Sequence, residues 1–155
     1  MIEDSRVGSL VDTSILVYCF DFAAPSKREA ARDLLRKGAA KGELRIPHQA
    51  MVEFVNVVTK RRGDRNPLLP YEEAWRQAED FLHEFPVLYP NELVFRTALL
   101  GMAAYRFSWH DAHLWAYAEH YGLPEILSED FEHGRRYGGV RIRNPFVVPG
   151  ADRQL

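Results

Sequence analysis

The segment SLVDTSILVY, residues 9–18, decides the fold. Its apolar residues predict a buried strand that opens the segment and continues toward Tyr18. Asp12 interrupts the apolar run with a carboxylate. An acid directly after a buried strand either caps a turn together with Thr13 and Ser14 or belongs to a functional loop. The segment alone does not decide between these two interpretations.

Three other acids stand in settings that place an acid at one end of an α/β sheet. Glu53 lies on the polar side of a predicted helix, where a solvated glutamate is the simpler interpretation. Asp111 shares a helical face with apolar residues, so it is either a partner of the helix N-terminus or a ligand. Asp130 and the adjacent Glu129 can both be ordinary turn acids. The argument therefore depends on the joint pattern: clustered carboxylates without matching cations need metal ions, which favours a metal-dependent nuclease.

The bulk composition is that of a globular protein. A chain of 155 residues predicts a single domain over residues 1–155, with a core from about residue 9 to residue 147 and loose ends at 1–8 and 149–155. The 46% apolar share argues against disorder. With a net charge of −2, contact with RNA or DNA requires local basic patches.

Cysteine usage and the N-terminus bear on the compartment. Cys19 is the single cysteine of the sequence, which excludes an internal disulfide framework and a cysteine zinc site. Asp12 breaks the best early apolar run, so we expect neither a signal peptide nor a membrane span. We therefore expect a cytoplasmic protein that does not bind membranes.

Short apolar runs alternate with helical patterns along the chain. A capping box at Ser26 and Glu29 predicts a helix that ends near Gly38 or Gly42. Asn91 and the Ser108–Asp111 pair predict two further helix starts. We also predict helices over residues 48–61 and 71–82, and strands at residues 87–89, 125–127 and 140–142.

This alternation predicts an α/β fold with a mostly parallel sheet covered on both faces. Ligands bind such sheets beyond the carboxyl ends of the strands, where Asp12 and Asp130 are expected. The helix after Asn91 is apolar nearly all round, which predicts deep burial. It and the helix from Tyr71 to Leu82 carry more large apolar residues than one core face requires. Some of these residues are candidates for an interface with another chain, with burial in the monomer as the simpler account.

The four acids in this order resemble those of a PIN domain. The resemblance covers residues 9–147, and the compact length and the ending EDFEHGRRYGGVRIRNPF are most similar to VapC-type toxins. Asp12 matches the first acid of the pattern and Glu53 the helical glutamate. Asp111 matches the acid that opens the penultimate long helix. Asp130 matches the strand-end acid, with Ser128 at the hydroxyl position, although the neighbouring Glu129 leaves the fourth acid ambiguous.

The resemblance implies a three-layer α/β/α sandwich and divalent-metal-dependent cleavage of RNA. It also implies a cognate antitoxin, whose C-terminal segment packs over the active site, and a homodimer. Carboxylates are hard ligands suited to Mg²⁺ or Mn²⁺, and their mutual repulsion should raise the pKa of at least one acid. The resemblance does not say which RNA is cut, or whether one or two ions bind.

Roles can be assigned within the resemblance as hypotheses. Asp12 and Asp111 are the expected primary metal ligands, while Glu53 and Asp130 hold waters or a second ion. The neighbouring hydroxyl and carboxyl groups are expected to orient these ligands or to lie close to them: Thr13, Ser14, Ser128 and Glu129.

RNA contact requires cations near the acids. Two basic groups are candidates for phosphate contact, although charged runs are more often simply solvated. The first is Lys60, Arg61, Arg62 and Arg65, and the second is Arg135, Arg136, Arg141 and Arg143. Trp109 and Tyr137 are candidates for base stacking, with burial in the core as the simpler alternative.

Two alternatives remain open. His110–Asp111 resembles the HD pair of metal phosphohydrolases, and His113 follows at helical spacing, but that class requires a mostly helical fold. Zinc bound by His110 and His113 is a related possibility. The other alternative is a PIN-like scaffold that binds RNA or a partner protein without cleaving it.

Overall fold

The computed structural model describes residues 8–147, so the predicted loose ends, apart from Gly8, lie outside the described residues. Within this range six strands and six helices alternate, and no helix is long and apolar enough to cross a bilayer. The elements are β1 Ser9–Val11, α1 Thr13–Tyr18, α2 Pro25–Lys41, β2 Leu44–Pro47, α3 His48–Thr59, α4 Tyr71–Glu84, β3 Val87–Leu88, α5 Glu92–Tyr105, α6 Trp109–Tyr121, β4 Glu125–Leu127, β5 Arg136–Tyr137 and β6 Val140–Arg143.

The strands form one sheet in the order β3-β2-β1-β4-β6-β5. Every neighbouring pair is parallel except β5 and β6, which are antiparallel. The predicted mostly parallel sheet is therefore confirmed. Val11 pairs with Leu127 at the carboxyl ends of β1 and β4, so the residues that follow, Asp12 and Ser128, emerge side by side.

Helices cover both faces of the sheet. Leu10 and Ile126 are fully buried in a core shared with α5 and α6. The next residue in each strand, Val11 or Leu127, is buried in a second core shared with α1 to α4. Successive side chains of a strand point to opposite faces, so two adjacent residues of one strand serve two separate cores. This is the three-layer arrangement that the sequence predicted.

The first predicted strand is shorter than expected, because α1 begins at Thr13 instead of the strand continuing toward Tyr18. Asp12 is the N-cap of α1, and its side chain accepts a hydrogen bond from the Thr13 backbone N–H. The apolar residues Ile15 and Leu16 are fully buried as a short helix.

The predicted capping box of α2 is absent. Ala24 is the N-cap and makes no side-chain cap, and Pro25 occupies the first turn, where its missing N–H costs nothing. The end of the helix is at the second of the two predicted glycines. Gly42 is the C-cap and adopts the left-handed conformation, with φ of 66°, that ends the helix.

Two strands were not predicted. β2, Leu44–Pro47, lies between β1 and β3, and it was missed because LRIP is short and carries a charge and a proline. Pro47 is tolerated because it ends the strand. β5, Arg136–Tyr137, has only two residues and pairs with β6 across a turn at Gly138 and Gly139.

The predicted deep burial of α5 is wrong. Leu93, Leu99 and Leu100 are 59%, 49% and 68% exposed, and only the face around Val94, Ala98 and Gly101 is buried. The periodic residues that predicted α4 also lie mostly at the surface: Tyr71, Trp75 and Leu82. Burial in the monomer therefore does not explain the surplus of large apolar residues in these two helices.

The buried face of α5 is in close contact with α6. A Cβ added at Gly101 would lie 2.7 Å from Cε3 of Trp115, closer than real Cβ contacts. Trp115 also donates a hydrogen bond from its indole nitrogen to the Tyr137 carbonyl oxygen (3.0 Å). Glycine at position 101 thus lets the helix lie directly on the indole ring, which β5 holds from the other side.

Candidate active site

Asp12 is the centre of the site at the carboxyl edge of the sheet. Its side chain is only 1% exposed. One carboxylate oxygen accepts a hydrogen bond from the Thr13 backbone N–H (2.7 Å), and the other accepts one from the Ser128 hydroxyl (2.6 Å). These two bonds, one from the start of α1 and one from the end of β4, fix the orientation of the carboxylate.

Glu53 approaches Asp12 from α3. The Thr13 hydroxyl donates to one oxygen of Glu53 (2.9 Å), so Thr13 contacts both acids. The other oxygen of Glu53 lies 3.0 Å from Nδ1 of His110, and Nε2 of the same imidazole lies 3.7 Å from Asp12. His110 therefore lies between the first two predicted acids.

The expectation of carboxylates without a matching cation is therefore wrong at this position. Asp12, and then Glu53 and Asp111, raise the pKa of His110 to about 9, against the opposing effect of burial. The imidazole is protonated at neutral pH and supplies positive charge between the acids. From the sequence, His110 was a candidate only for an HD pair or a zinc site. Its position in the first turn of α6, next to Asp111, was the available signal.

Asp111 and Asp130 complete the set of four. Burial, and to a smaller extent the negative charge of Asp12, raises the pKa of Asp111. Burial also raises the pKa of Asp130, together with the charges of Asp12 and Asp111 and a hydrogen bond with Asp12. Both acids therefore respond to Asp12, in line with the expectation that mutual repulsion raises the pKa of at least one acid.

The backbone and side chains around these acids are held by local hydrogen bonds. Ser108 caps α6 as predicted, accepting from the Asp111 backbone N–H (3.1 Å). The Ser128 hydroxyl, which donates to Asp12, also accepts from the Asp130 backbone N–H (3.1 Å). Ser128 thus joins the first acid to the fourth. The Ser14 hydroxyl is buried, and the part of the chain that the structure describes offers it no hydrogen-bond partner.

The Glu129 carboxylate and the Asp130 carboxylate have different partners. Glu129 accepts a hydrogen bond from the Tyr18 hydroxyl (2.6 Å) and forms a salt bridge with Lys27 (2.8 Å). Tyr18 and Lys27 were not predicted from the sequence, because nothing in their spacing relates the end of α1 and the start of α2 to the end of β4. Asp130 is the member of the adjacent pair that is directed toward Asp12.

The donor chemistry fits a divalent cation. Asp12, Glu53, Asp111 and Asp130 supply hard oxygen ligands, and the raised pKa values of Asp111 and Asp130 are what an added positive charge would reverse. In the conformation described for residues 8–147, however, no three His, Cys, Asp or Glu side chains are close enough together to hold a metal ion. Coordination would require movement of side chains toward Asp12.

The predicted cations lie at varying distances from the acids. Lys60 follows Glu53 by seven residues on α3, which corresponds to about 10 Å along the helix axis. Arg136 pairs with Arg141, and Arg141 pairs with Glu125, the first residue of β4. Both arginines therefore lie near the amino-terminal end of β4, whereas Asp130 follows its carboxyl end. The guanidinium groups of Arg135 and Arg143 form salt bridges with Glu132 and Glu125.

The two candidate stacking rings differ in exposure. Trp109 is 41% exposed at the start of α6, whereas Tyr137 is buried against Phe107. Tyr137 is therefore a core residue, and Trp109 is the ring that solvent can reach.

These features define an α/β/α sandwich with an acidic site at the carboxyl edge of a mostly parallel sheet. The chain belongs to the PIN domain family, whose model matches residues 9–138. The family predicted from the four acids is thereby confirmed. The six-stranded sheet of the described residues also contradicts the HD-type alternative, which requires a mostly helical fold.

Solved structures with similar folds include toxin–antitoxin proteins. A toxin–antitoxin complex from Klebsiella pneumoniae matches with a TM-score of 0.67 and 19% identity, covering 91% of this chain and 100% of that chain. VapBC2 from Rickettsia felis, bound to a promoter DNA fragment, matches with a TM-score of 0.65 and 13% identity over 88% of this chain and 97% of that one. VapC20 from Mycobacterium tuberculosis, a toxin that cleaves the sarcin–ricin loop, matches with a TM-score of 0.59 and 16% identity over 79% and 90%.

At these identities the solved structures establish the shared fold. No curated protein sequence matches the chain closely enough to count as a relative.

Proposed function

We propose that the protein is a divalent-metal-dependent endoribonuclease and the toxin of a type II toxin–antitoxin pair. The observation that carries this proposal is the convergence of four separate segments on one buried carboxylate, Asp12, in a chain with a PIN fold. Glu53 is connected to it through Thr13, Asp130 through Ser128, and Asp111 through its charge. A solvated surface acid needs no such arrangement of partners.

Each acid has a proposed role. Asp12 and Asp111 are the proposed primary ligands of Mg²⁺ or Mn²⁺, and Glu53 and Asp130 the proposed holders of waters or a second ion. A bound cation would neutralise phosphate charge and make a nearby water more acidic. The hydrogen bonds from Thr13 and Ser128 orient Asp12 before any substrate binds, which reduces the reorganisation that catalysis requires.

Asp130 and Glu129 have different proposed roles. We propose that Asp130 holds a water or a second ion, because its side chain makes a hydrogen bond with Asp12. Glu129 is assigned no catalytic role, because Tyr18 and Lys27 already bind its carboxylate.

We propose that RNA is contacted mainly by the basic side chains that follow α3, the helix that carries Glu53. Lys60, Arg61 and Arg62 are exposed after α3 and free to reach a phosphate chain that leaves the acid site. Arg135 and Arg136 are weaker candidates, because Arg135 is paired with Glu132 and Arg136 lies near the amino-terminal end of β4.

The proposed partners are an antitoxin and a second copy of the chain. Toxin–antitoxin complexes recur among the solved structures that share this fold. The exposed apolar residues of α4 and α5 offer surfaces that a partner would cover. For the homodimer we favour α5, because only Glu92 and Arg96 carry a formal charge among its 14 residues, and interface cores are depleted in charge.

The test is cleavage of end-labelled total RNA by purified protein, freed of any co-purifying partner, in Mg²⁺, Mn²⁺ or EDTA. Discrete metal-dependent fragments are expected from the parent protein. Asp12→Asn, which keeps the shape but removes the charge, should reduce the rate by about 100-fold or more. Asp130→Asn should also lose activity, while the neighbouring Glu129→Gln should retain it.

One observation favours the non-catalytic scaffold as the second candidate. His110 already neutralises the first two acids, and in the described residues no group of side chains is positioned to hold a metal. Thermal unfolding with and without Mn²⁺ separates the candidates, since a ligand that binds the folded state raises Tm. No cleavage together with no Mn²⁺-dependent increase in Tm would replace the nuclease proposal with the scaffold.

A further inference from the structure

A cavity of about 420 Å³ opens directly beside the acid site. Two of its lining residues, Glu53 and His110, belong to the site itself. The others come from the start of α3, from the turn after β3, and from α6: His48, Gln49, Pro90, Trp109, His113 and Tyr117. A molecule bound in this cavity would therefore contact Glu53 and His110, and His110 lies 3.7 Å from Asp12.

Two of the helices that line the cavity, α3 and α6, contribute planar rings to it. His48 packs on Tyr89 with ring centroids 5.3 Å apart, which supports the imidazole from behind. On the α6 side, Trp109 and His113 are 4.1 Å apart with their planes at 89°, so each ring restrains the other. Planar rings held in place in a cavity suit a flat, aromatic ligand.

The remaining lining groups are polar and few. The Gln49 amide nitrogen donates to the His110 carbonyl oxygen (3.3 Å) and lies 3.0 Å from His110 Nδ1, so both contacts of that nitrogen are with His110 and the amide oxygen is the remaining polar atom of the side chain. Tyr117 is only 2% exposed, and burial raises the pKa of its phenol to about 12, so its hydroxyl stays neutral. A flat ligand with N–H groups along one edge would match one fixed acceptor and one neutral hydroxyl.

A metal site is a poor alternative for this cavity. His48, His110 and His113 all line it, but within residues 8–147 no three such side chains are close enough to share a metal ion. The volume instead lies in the usual range for small-molecule sites, which are mostly apolar with a few oriented polar groups.

We propose that this cavity is a nucleobase subsite that receives the base of a nucleotide adjoining the scissile phosphate. This subsite rests on the proposed ribonuclease function, and it would determine the base preference of the ribonuclease. The base stacks between the His48 and Trp109 sides, and Gln49 accepts a hydrogen bond from an N–H on its edge. Glu53 and His110, shared with the acid site, place the attached phosphate beside Asp12.

The first experiment measures nucleotide binding without metal, so that it does not depend on cleavage. Each of the four nucleoside 5′-monophosphates is titrated into the protein in EDTA, with ribose 5-phosphate as the matched ligand that lacks a base. At least one nucleotide is expected to bind about 10-fold more tightly than ribose 5-phosphate. Equal binding of nucleotide and ribose 5-phosphate, or binding of neither, would overturn the proposal.

Variants then locate the bound base. His48→Ala on α3 and Trp109→Leu on α6 should each remove the advantage of the nucleotide over ribose 5-phosphate. Trp75→Leu, at an exposed tryptophan on α4, is the matched control and should leave that advantage intact. Retention of the full advantage in both cavity variants would place the base elsewhere and overturn the assignment.

Cleavage assays separate this proposal from the proposed function. Gln49→Leu should change which base precedes or follows the cut, with a larger effect on KM than on kcat. Asp12→Asn should stop cleavage and leave the advantage of the nucleotide over ribose 5-phosphate intact. Base-dependent binding without cleavage in the parent protein would remove the nuclease and keep the subsite. Cleavage whose base preference is the same in Gln49→Leu and His48→Ala would keep the nuclease and remove the subsite.

Discussion

His110 shows how one residue changes the electrostatics of the acid site. Its imidazole contacts Asp12 and Glu53 at 3.7 and 3.0 Å, so two carboxylates have a positive charge between them in the protein without metal. Acids from two different elements can therefore stay close together without a metal ion. A metal ion that enters the site would compete with the His110 imidazolium for these two carboxylates.

This arrangement gives a pH-dependent prediction for the metal-free protein. The pKa of His110 rises from 6.5 to about 9 on folding, so protonation favours the folded state. The stabilising contribution is complete below pH 6.5 and is lost as the pH rises through about 9. The Tm difference between the parent and His110→Gln, measured in EDTA, should therefore be largest at the acidic end and shrink toward alkaline pH.

His83→Gln provides the control for that experiment, because His83 is exposed on α4 and the substitution removes a histidine away from the acids. A Tm difference for His110→Gln that is the same across the whole pH range would contradict the prediction.

Sequence reasoning at this scale found acids more easily than their partners. Asp12, Glu53, Asp111 and Asp130 each follow a recognisable local pattern, and the structure brings them to one edge of the sheet. Gln49, Tyr18 and Lys27 carry no such pattern, and His110 was marked only by its place beside Asp111. Their contacts arise only when α1, α2, α3 and α6 meet, and no local spacing contains that information.

At the scale of the element, short apolar segments were the hardest to assign. Residues ILVY after Asp12 suit a strand as well as a helix, and the capping hydrogen bond from the Thr13 N–H to Asp12 accompanies the helix. β2 was missed for the opposite reason, since LRIP has too few apolar residues to stand out although it lies inside the sheet. The long helices were found because their 3.6-residue period extends over several turns.

Burial of whole helices was also misjudged. The apolar residues of α5 predicted a helix enclosed on all sides, yet the contact with α6 uses mainly the small residues Ala98 and Gly101. An apolar composition predicts that a helix surface will be buried. It does not predict whether that surface packs against the same chain or against another one.

The contact of α5 with α6 supplies a prediction at this scale. Gly101→Ala would place a methyl group 2.7 Å from Cε3 of Trp115. Alanine favours a helix over glycine by about 1 kcal/mol, but overpacking costs about 1–3 kcal/mol. We expect a net loss of stability, measured by urea denaturation with an unchanged m-value. An equal or higher midpoint would show that the indole ring moves without cost.

For the whole molecule, the exposed apolar surface of α5 predicts self-association. Leu100 is 68% exposed, so Leu100→Lys should not disturb the core, and it should convert a dimer into a monomer in sedimentation velocity. The physical reason is the cost of burying an ammonium group in an apolar interface.

Leu82→Lys is the matched change on α4, where the leucine is 44% exposed. It should leave the dimer intact. Dissociation by Leu82→Lys and not by Leu100→Lys would move the interface from α5 to α4, and a monomeric parent protein would remove the homodimer altogether.

The pairing of β1 with β4 has a consequence for the protein while it is being synthesised. The hydroxyl that holds Asp12 belongs to a residue 116 positions later, and β4, one of the two strands that pair with β1, is completed only at Leu127. A nascent chain released by the ribosome before that point lacks both β4 and the hydroxyl, whatever its first hundred residues have folded into. Any activity of the acid site therefore requires synthesis to continue past Ser128.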